Sequence, residues 1–332
     1  PRLAENVAAW LRDKGAKILP LARRANTFGA LDMGLAPDLL PGRVPVGEGF
    51  ESWGEIPTTV GRHTRGILEG LRDGDIKALI MVGADPVADV PDSHLATEAL
   101  ANAEFVVAID MFHTESTAYA DVILPALGFA EKEGTVTNLE GRVQKVNDIV
   151  AGEGQSRADW SILDDIARRL GKELGFATAA EIAKEISEVA PAYRGITWDL
   201  LEWDEPMGAI VPYGDATQPL QYVPVTTSLP TVAAEMVLHS ARTLYDDGVL
   251  MRHTPWLHRL APGAAAYLHP DDAFRLGARE GHRVRVVTKH AEAELEVRLD
   301  ETLHRGVVYV PFNQPDAPRL GSDPIVRVTA IG

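Results

Sequence analysis

Residues 120–146 read ADVILPALGFAEKEGTVTNLEGRVQKV, in which an apolar strand pattern runs directly into a long polar loop. The run DVILP at 121–125 has the apolar composition of a short buried strand. The loop that follows is rich in Gly, Thr, Asn, Glu and Arg but contains no Cys, Ser or His. Two interpretations are open. Either the loop binds a polar ligand, or its polar side chains only maintain its shape.

Helical and strand patterns alternate on the N-terminal side of this stretch. The continuous apolar run KALIMVG at 77–83 predicts a strand buried on both faces, and FVVAID at 105–110 predicts the next strand. Between them we expect a helix at 93–102 with Ser93 as its N-cap. Further predicted elements are helices at 3–14, 64–76 and 115–120 and a short strand at 16–22. This alternation predicts an α/β fold with a doubly wound parallel sheet.

The pattern changes on the C-terminal side. A helix is predicted at 156–171, where Ser156 and Asp159 form a capping-box pattern, and a second at 178–189. Alternating strands then fill the last hundred residues and predict a small β-barrel. The resulting domains are an α/β domain at 1–205, a proline-rich linker at 206–231 and a barrel domain at 232–332.

The composition excludes several classes of function. Lys and Arg number 32 against 48 Asp and Glu, and the net charge of −16 disfavours nucleic acid as a partner. No apolar run approaches the roughly 18 residues of a membrane span, so we expect a cytoplasmic protein without direct membrane insertion. The absence of cysteine removes thiolate nucleophiles and Cys-ligated zinc or iron–sulfur clusters. Because the chain begins at Pro1 without an initiator Met, we expect either a processed form or a piece cut from a longer polypeptide.

Ligands of doubly wound sheets bind at the carboxyl ends of the strands, and three polar segments follow strands here. Gly83 and Asp85 lie in GADP at 83–86, and Asp110 opens DMFHTES at 110–116. The first turn could present backbone amides to a phosphate, but Gly83 and the following proline also suit a plain strand-to-helix turn capped by Asp85. The second segment could hold an acid–base cluster or simply start a helix.

No catalytic or metal-ligating set is predicted. No nucleophile or metal partner is evident beside the polar residues of 110–116, and His253 and His258 lie five apart, which does not place both rings on one helix face. In the polar loop, Asn138 and Arg142 are the residues expected to point toward a partner. The remaining charged residues of that loop could bind a polar cofactor or pair with one another.

These motifs resemble a known family. The runs ALIMVGADPVADVPD, FVVAIDMFHTESTAYA and ADVILPALGFAEKEGTVTNLEGRVQ, in this order, closely resemble the molybdopterin oxidoreductase superfamily. The C-terminal run from 268 to 312 is similar to the dinucleotide-binding β-barrel of the same superfamily. The resemblance implies a nucleotide-contacting turn, in which Asp85 stands where the superfamily usually has Asn.

One stretch indicates a branch within the superfamily. LPLARRANTFGALDMGLAPDLLPG at 19–42 is similar to the G subunit of bacterial NADH-quinone oxidoreductase, the large iron–sulfur subunit of respiratory complex I. This resemblance implies electron transfer from NADH through iron–sulfur clusters to quinone in the whole complex. The clusters are expected in an N-terminal part absent from this cysteine-free chain, so the chain alone is expected to be a redox-inactive scaffold without cofactor. Its expected partners are other peripheral-arm subunits, on the cytoplasmic side of the membrane.

Two other hypotheses remain. The chain could be the C-terminal portion of a molybdopterin guanine dinucleotide enzyme of the formate dehydrogenase or nitrate reductase type. The residues then expected to contact the nucleotide, or to mark its vestigial site in the first hypothesis, are Gly83, Asp85, Asp110, Asn138, Arg142 and Asn313. A free nucleotide-binding module has little support, because no complete nucleotide motif is present.

Overall fold

The computed structural model describes residues 2–19, 21–22, 24–48, 53, 56, 58–205, 207–212, 235–317, 319–321 and 323–331, with residues 2–5 described by their backbone alone. None of the helices in this described part of the chain is long and apolar enough to span a bilayer.

Helices alternate with short strands in the first part of the chain. In chain order they are α1 (Arg2–Asp13), α2 (Thr27–Asp32), β1 (Leu39–Leu40), β2 (Val44–Pro45), α3 (Thr64–Arg72), β3 (Ala78–Val82), α4 (Pro86–Asp89), α5 (Ser93–Asn102), β4 (Phe105–Asp110) and β5 (Val122–Pro125). A 3₁₀ turn at Thr117–Tyr119 precedes β5. The helix predicted at 3–14 and the strands predicted at 77–83, 105–110 and 121–125 are confirmed within two residues.

Strands become more frequent further along. The remaining elements are β6 (Gly134–Thr137), β7 (Arg142–Val146), α6 (Asp159–Arg169), α7 (Ala179–Val189), β8 (Ala209–Ile210), β9 (Glu235–His239), α8 (Val249–Arg252), α9 (Pro255–His258), β10 (Ala265–Leu268), α10 (Pro270–Leu276), β11 (Arg283–Val287), β12 (Glu292–Leu299), β13 (Val307–Tyr309) and β14 (Ile325–Ile331).

The chain divides into two compact units, each built from two segments. Unit 1 comprises Pro1–Ile67 and Leu124–Thr226, and unit 2 comprises Leu68–Ile123 and Thr227–Gly332. Unit 2 therefore combines the barrel strands with the strands and helices from β3 to β4. The domain boundaries predicted at 205 and 232 stay a prediction, because residues 213–234 lie outside the described residues.

The predicted parallel sheet is present as three strands in the order β3-β4-β5. β3 and β4 are parallel, with Val82 beside Ile109. β4 is buried over 106–109, but in β3 the side chains of Ile80 and Val82 are 50% and 43% exposed. The prediction that β3 is buried on both faces is therefore wrong. β3 pairs only with β4 in the described sheet, and its alternating side chains face one covered and one open side.

Two predicted helix caps differ from the structure. α5 is capped by Asp92 rather than Ser93, because the Asp92 carboxylate accepts a hydrogen bond from the N–H of Leu95. α6 begins after Ala158 without a side-chain cap. The Ser156 hydroxyl instead donates to the carbonyl of Glu153, so the capping box predicted from Ser156 and Asp159 does not form.

The capping box occurs one helix later. Thr178 accepts from the N–H of Glu181, and the Glu181 carboxylate accepts from the N–H of Thr178. Thr178 and Glu181 have the Thr-x-x-Glu spacing that the motif requires, and these two bonds satisfy two amides at the start of the helix.

The short strand predicted at 16–22 is not formed by the described residues of that range. Leu19 and Leu21 are 65% and 78% exposed there. An apolar run of this length forms a strand only when a neighbouring strand accepts its backbone hydrogen bonds, and no such pairing is present for the described residues of this range.

The barrel predicted at the C-terminal end is confirmed. Its six strands close in the order β10-β12-β11-β14-β9-β13. Alternating side chains of β11 and β12 point inward, and Val284, Leu295 and Val297 are almost completely buried in its core. α10 ends at Gly277, which adopts a left-handed conformation with φ of 74°.

Candidate functional site

The polar loop of residues 126–146 forms a β-hairpin in unit 1. β6 and β7 are antiparallel, with Thr137 paired to Val143, and β8 continues the sheet beyond β7. The turn between β6 and β7 is closed by Asn138, whose side-chain oxygen accepts hydrogen bonds from the N–H of Glu140 at 2.9 Å and of Arg142 at 3.0 Å. Gly141 completes the turn with φ of 80°.

Arg142 is also engaged inside unit 1. Its guanidinium donates to the carbonyl of Gly208 at 2.8 Å and to the carboxylate of Glu140 at 3.3 Å. Asn138 and Arg142 therefore lie together, as two residues of one turn. Each makes intramolecular bonds that maintain the shape of the hairpin.

The other charged residues of the loop pair within unit 1. Lys132 contacts Asp159 at the start of α6. Lys145 lies 3.0 Å from Glu202 and 3.9 Å from Glu133, and its ammonium lies over the Trp198 ring. Pairing of this kind was one of the two interpretations open for these charges.

A polar network with buried members at Asp32, Thr137 and Tyr193 joins this hairpin to the stretch at 19–42. The side-chain oxygen of Asn26 accepts the N–H of Thr137, and the Thr137 hydroxyl lies 3.2 Å from the hydroxyl of Tyr193. Tyr193 in turn donates to Asp32 at 2.7 Å, and Arg43 donates to the other oxygen of the same carboxylate. Asp32 is almost completely buried, so these bonds offset the cost of removing its carboxylate from water.

Gly29 makes this arrangement possible. A Cβ atom at Gly29 would overlap the side-chain oxygen of Asn26 and would come within 3.2 Å of the Thr137 hydroxyl. Sequence reasoning identified the stretch but missed its network, because Asn26 and Tyr193 are far from Thr137 along the chain. The only signal available was the unusual density of small and polar residues around Gly29.

In unit 2, Gly83 and Asp85 follow β3. Gly83 has φ of 56° and donates its N–H to the carbonyl of Ile109. Asp85 lies at the start of α4 but makes no side-chain cap. Its Oδ1 instead accepts from the hydroxyl of Ser116 at 2.6 Å and from the N–H of Ser116 at 3.2 Å. Asp85 is therefore directed toward the segment after β4.

Ser116 connects the ends of β3 and β4. Its hydroxyl accepts a hydrogen bond from the N–H of Val87 while it donates to Asp85. The second carboxylate oxygen of Asp85 is buried and has no hydrogen-bond partner among the described residues. The carboxylate of Asp110, at the end of β4, accepts the N–H of Phe112. Convergence of the first two strand ends, predicted from the fold class, is present here.

A cavity of about 450 Å³ lies in unit 2 beside the barrel. This volume falls within the ~300–1,000 Å³ typical of small-molecule sites. Asn313, with φ of 51°, lines the cavity and is 9% exposed. Its side-chain nitrogen is buried without a hydrogen-bond acceptor among the described residues, so the cavity contains one unused donor. Gly83, Asp85 and Asp110 do not line it.

The charges that line the cavity are mainly acidic. They are the carboxylates of Glu115, Asp247 and Asp316 and the guanidinium of Arg319. Arg319 donates to Glu115 at 2.8 Å. This hydrogen bond lowers the pKa of Glu115 below its ordinary value, burial opposes the shift, and the positive charges of Arg319 and Arg252 add to it.

The superfamily resemblance implies a dinucleotide cofactor, whose pyrophosphate needs cationic or N–H donors. Three carboxylates and one paired guanidinium are a poor match for that group. The buried side-chain nitrogen of Asn313 offers a donor suited to a neutral carbonyl or to a single phosphate oxygen. The residues of this cavity therefore do not fit a pyrophosphate.

Histidines near the cavity make specific contacts. His258 lies 2.8 Å from Asp247, and the ring of His253 stacks on that of Phe112 with centroids 3.9 Å apart. Across the described ranges, no group of three or more His, Asp or Glu side chains is arranged to hold a metal ion.

Comparison with known proteins gives two family matches. Residues 4–169 match the Molybdopterin oxidoreductase family, and residues 236–329 match the Molydopterin dinucleotide binding domain. The second match covers the closed barrel. Together the two matches follow the order in which the motifs occur along the sequence.

Two curated relatives cover most of the chain. A G subunit of NADH-quinone oxidoreductase from Rhizobium meliloti is 32% identical over 300 residues, covering 87% of this chain and 34% of the relative. The F420-dependent formate dehydrogenase subunit alpha of Methanocaldococcus jannaschii is 30% identical over 330 residues, covering 92% of this chain and 49% of the relative. The chain thus spans about a third to a half of the length of these relatives.

A solved structure with the same fold is acetylene hydratase from Pelobacter acetylenicus. Its TM-score is 0.57 at 16% identity, and the match covers 76% of this chain and 40% of that one. At this identity the likeness concerns the fold. The family matches cover both the sheet and the barrel, and on that evidence the chain belongs to the molybdopterin oxidoreductase family.

Proposed function

We propose that this chain is the C-terminal scaffold region of a G subunit of NADH-quinone oxidoreductase. The observation that carries the proposal is the network around Gly29. The stretch that resembles the G subunit supplies Asn26, Gly29 and Asp32, and these residues bond to the hairpin through Thr137 and Tyr193. A loop whose polar groups are already satisfied by its own chain serves as a support rather than as a ligand site.

In this proposal the whole complex transfers electrons from NADH through iron–sulfur clusters to quinone, and this chain transfers none. The similarity to the G subunit from Rhizobium meliloti supports the branch. The absence of cysteine supports the lack of clusters in this chain, since cluster ligands are cysteine thiolates. The clusters belong to an N-terminal part of the subunit.

The proposal assigns no molybdopterin to this chain. Its support is the acidic lining of the cavity and the internal bonds of Asn138 and Arg142. The partners are other subunits of the peripheral arm, and the location is the cytoplasmic side of the membrane.

Purification of the complex that contains this chain tests the proposal. We expect NADH:quinone activity, stoichiometric iron, and neither molybdenum nor tungsten. Oxidation of the denatured protein should release no fluorescent pterin. Stoichiometric molybdenum or tungsten together with a fluorescent pterin would overturn the proposal.

A second candidate is the C-terminal portion of a molybdopterin guanine dinucleotide enzyme of the formate dehydrogenase type. It is favoured by the buried side-chain nitrogen of Asn313, which has no hydrogen-bond acceptor in the described part of the chain, and by similarity to the Methanocaldococcus jannaschii relative. Titration with GDP separates the two candidates. Saturable binding that weakens in an Asn313→Ala variant would support the second, and absence of binding would support the first.

A further inference from the structure

The segment from Leu244 to Leu260 exposes its apolar side chains. Five large ones face solvent, and together they define the outer patch: Leu244 (85% exposed), Leu250 (51%), Trp256 (73%), Leu257 (42%) and Leu260 (51%). Single exposed leucines are common on protein surfaces, but five in seventeen residues form a concentrated apolar surface.

The polar side chains of the same segment face inward. Asp246 is 6% exposed and accepts from Arg242, while Asp247 accepts from the Arg252 guanidinium at 3.0 Å and contacts the His258 ring at 2.8 Å. The backbone N–H of Asp247 also donates to the carbonyl of Asn313. Asp246, Asp247 and Arg252 are therefore engaged with the protein, while the five large apolar side chains of the outer patch face solvent.

These inward contacts hold the outer patch in one conformation. Arg252 reaches the carboxylate of Glu115, and His253 stacks on Phe112, both in the other chain segment of unit 2. The Thr254 hydroxyl closes the turn between α8 and α9 by donating to the carbonyl of Leu250. A surface fixed in this way loses little conformational entropy when it binds a partner.

The charge of the chain around Trp256 and Arg259 differs from that of the chain as a whole. Residues 248–270 contain no Asp or Glu, although the chain as a whole has 48 of them and a net charge of −16. The exposed guanidinium of Arg259 lies 5.2 Å from the centre of the Trp256 ring. Trp and Arg are both enriched among the residues that dominate binding energy at protein interfaces.

We propose that the outer patch is a docking surface for another protein subunit, which presents an apolar groove bordered by Asp or Glu. We infer the acidic border because carboxylates on the partner would complement the positive charge of Arg259. The net charge of −16 opposes approach to an anionic membrane. The inference rests on the proposed function only in expecting the partner among the subunits of the same complex.

Photo-crosslinking in the assembled complex tests this inference. A benzophenone amino acid is placed at Leu260 and, as a matched control, at Phe274, which is 87% exposed on α10 of the same unit. We expect one protein adduct at Leu260, on a stretch with carboxylates beside apolar residues, and none at Phe274. No adduct at Leu260, an adduct with lipid, or an adduct with the chain itself or a second copy of it would overturn the docking surface.

The identity of the crosslinked partner separates the docking surface from the proposed function. A partner outside NADH-quinone oxidoreductase leaves the docking surface intact and contradicts the proposed function. The affinity of the purified partner for variants of the outer patch is then measured. Trp256→Ser should weaken binding at least about tenfold without lowering the melting temperature, while Phe274→Ser should leave binding unchanged. Arg259→Glu should weaken binding more at low than at high salt, and an equal loss at both would contradict the acidic border.

Discussion

The side-chain oxygen of Asn26 accepts the backbone N–H of Thr137 at 2.8 Å, across 111 positions of sequence. This bond connects the stretch that indicates the branch with the hairpin that indicates the superfamily. The two stretches were separate pieces of evidence in the sequence, and in the folded chain they form one buried polar network.

The first prediction concerns Gly29 in α2. Gly→Ala in a helix normally stabilises by about 1 kcal/mol, but here the added methyl group must displace the Asn26 side chain. We expect Gly29→Ala to lower the free energy of unfolding by about 1–3 kcal/mol, as for a buried N–H left without its acceptor. Urea unfolding of the wild-type protein and the variant measures this loss of stability.

The matched control and a coupling test follow from the same geometry. Gly134→Ala, where no atom lies near the added methyl group, should change stability by less than about 0.5 kcal/mol. Asn26→Ala and Gly29→Ala should be strongly non-additive, because both remove the same bond. Additive losses would contradict this account.

Ser116 gives the second prediction. Its hydroxyl is the acceptor for Val87 and a donor to the buried carboxylate of Asp85. Ser116→Ala leaves both groups without this partner, and we expect a loss of about 2 kcal/mol in the free energy of unfolding. Ser156→Ala, whose hydroxyl bonds only to an exposed carbonyl, is the control and should have little effect. If Ser116→Ala lowered the free energy of unfolding no more than Ser156→Ala, the role assigned to the Ser116 hydroxyl would be wrong.

The pH dependence of stability is expected to involve Glu115. The Arg319 hydrogen bond keeps the pKa of Glu115 below its ordinary value of 4.5. Stabilisation by the ionised carboxylate is therefore present above that ordinary value and is lost as pH falls through the lower folded-state pKa. The wild-type protein should be more stable than Glu115→Gln near neutral pH, and this difference should disappear in acid.

The free energy of unfolding, measured at a series of pH values for both proteins, tests this expectation. A variant of Arg319 provides a control. In an Arg319→Gln background, Glu115→Gln should cost less at neutral pH, because the main hydrogen bond is already absent. A difference between wild type and Glu115→Gln that grows as pH falls would contradict the assigned direction of the pKa shift.

Arg142 gives the fourth prediction. Its guanidinium bonds the carbonyl of Gly208, immediately before β8, and the N–H of Val211 donates to the carbonyl of Gly141. Arg142→Ala should speed amide exchange at Val211 at least several-fold, because β8 loses one of its attachments to the turn. The amides of β14 in unit 2 serve as the internal control and should exchange at unchanged rates.

The sequence predicted best the elements whose signal is local. β4 at 105–110 matches the expected bounds because continuous apolar residues mark a strand directly. The helix predicted at 178–189 is also confirmed within one residue, although the capping box was expected at Ser156 and forms instead at Thr178. The exposure of β3 was not predictable, since it depends on which elements cover each face of the sheet.

The candidate site was less predictable for the same reason. Asn138 and Arg142 were expected to face a partner, and in the structure Asn138 bonds within its own turn while Arg142 also bonds the carbonyl of Gly208 in the same unit. Sequence composition identifies a polar loop but does not tell whether its donors meet a ligand or the carbonyl of Gly208. Asp85 likewise meets Ser116, a residue that the sequence suggested only as a helix start.

The closed barrel has a consequence for the order of folding. β14 pairs with both β9 and β11, so the sheet cannot close before residues 325–331 have been synthesised. Until then β9 and β11 each keep an open edge, which is a template for pairing with other chains. β14 therefore covers two strand edges at once, and its pairing ends the exposure of both.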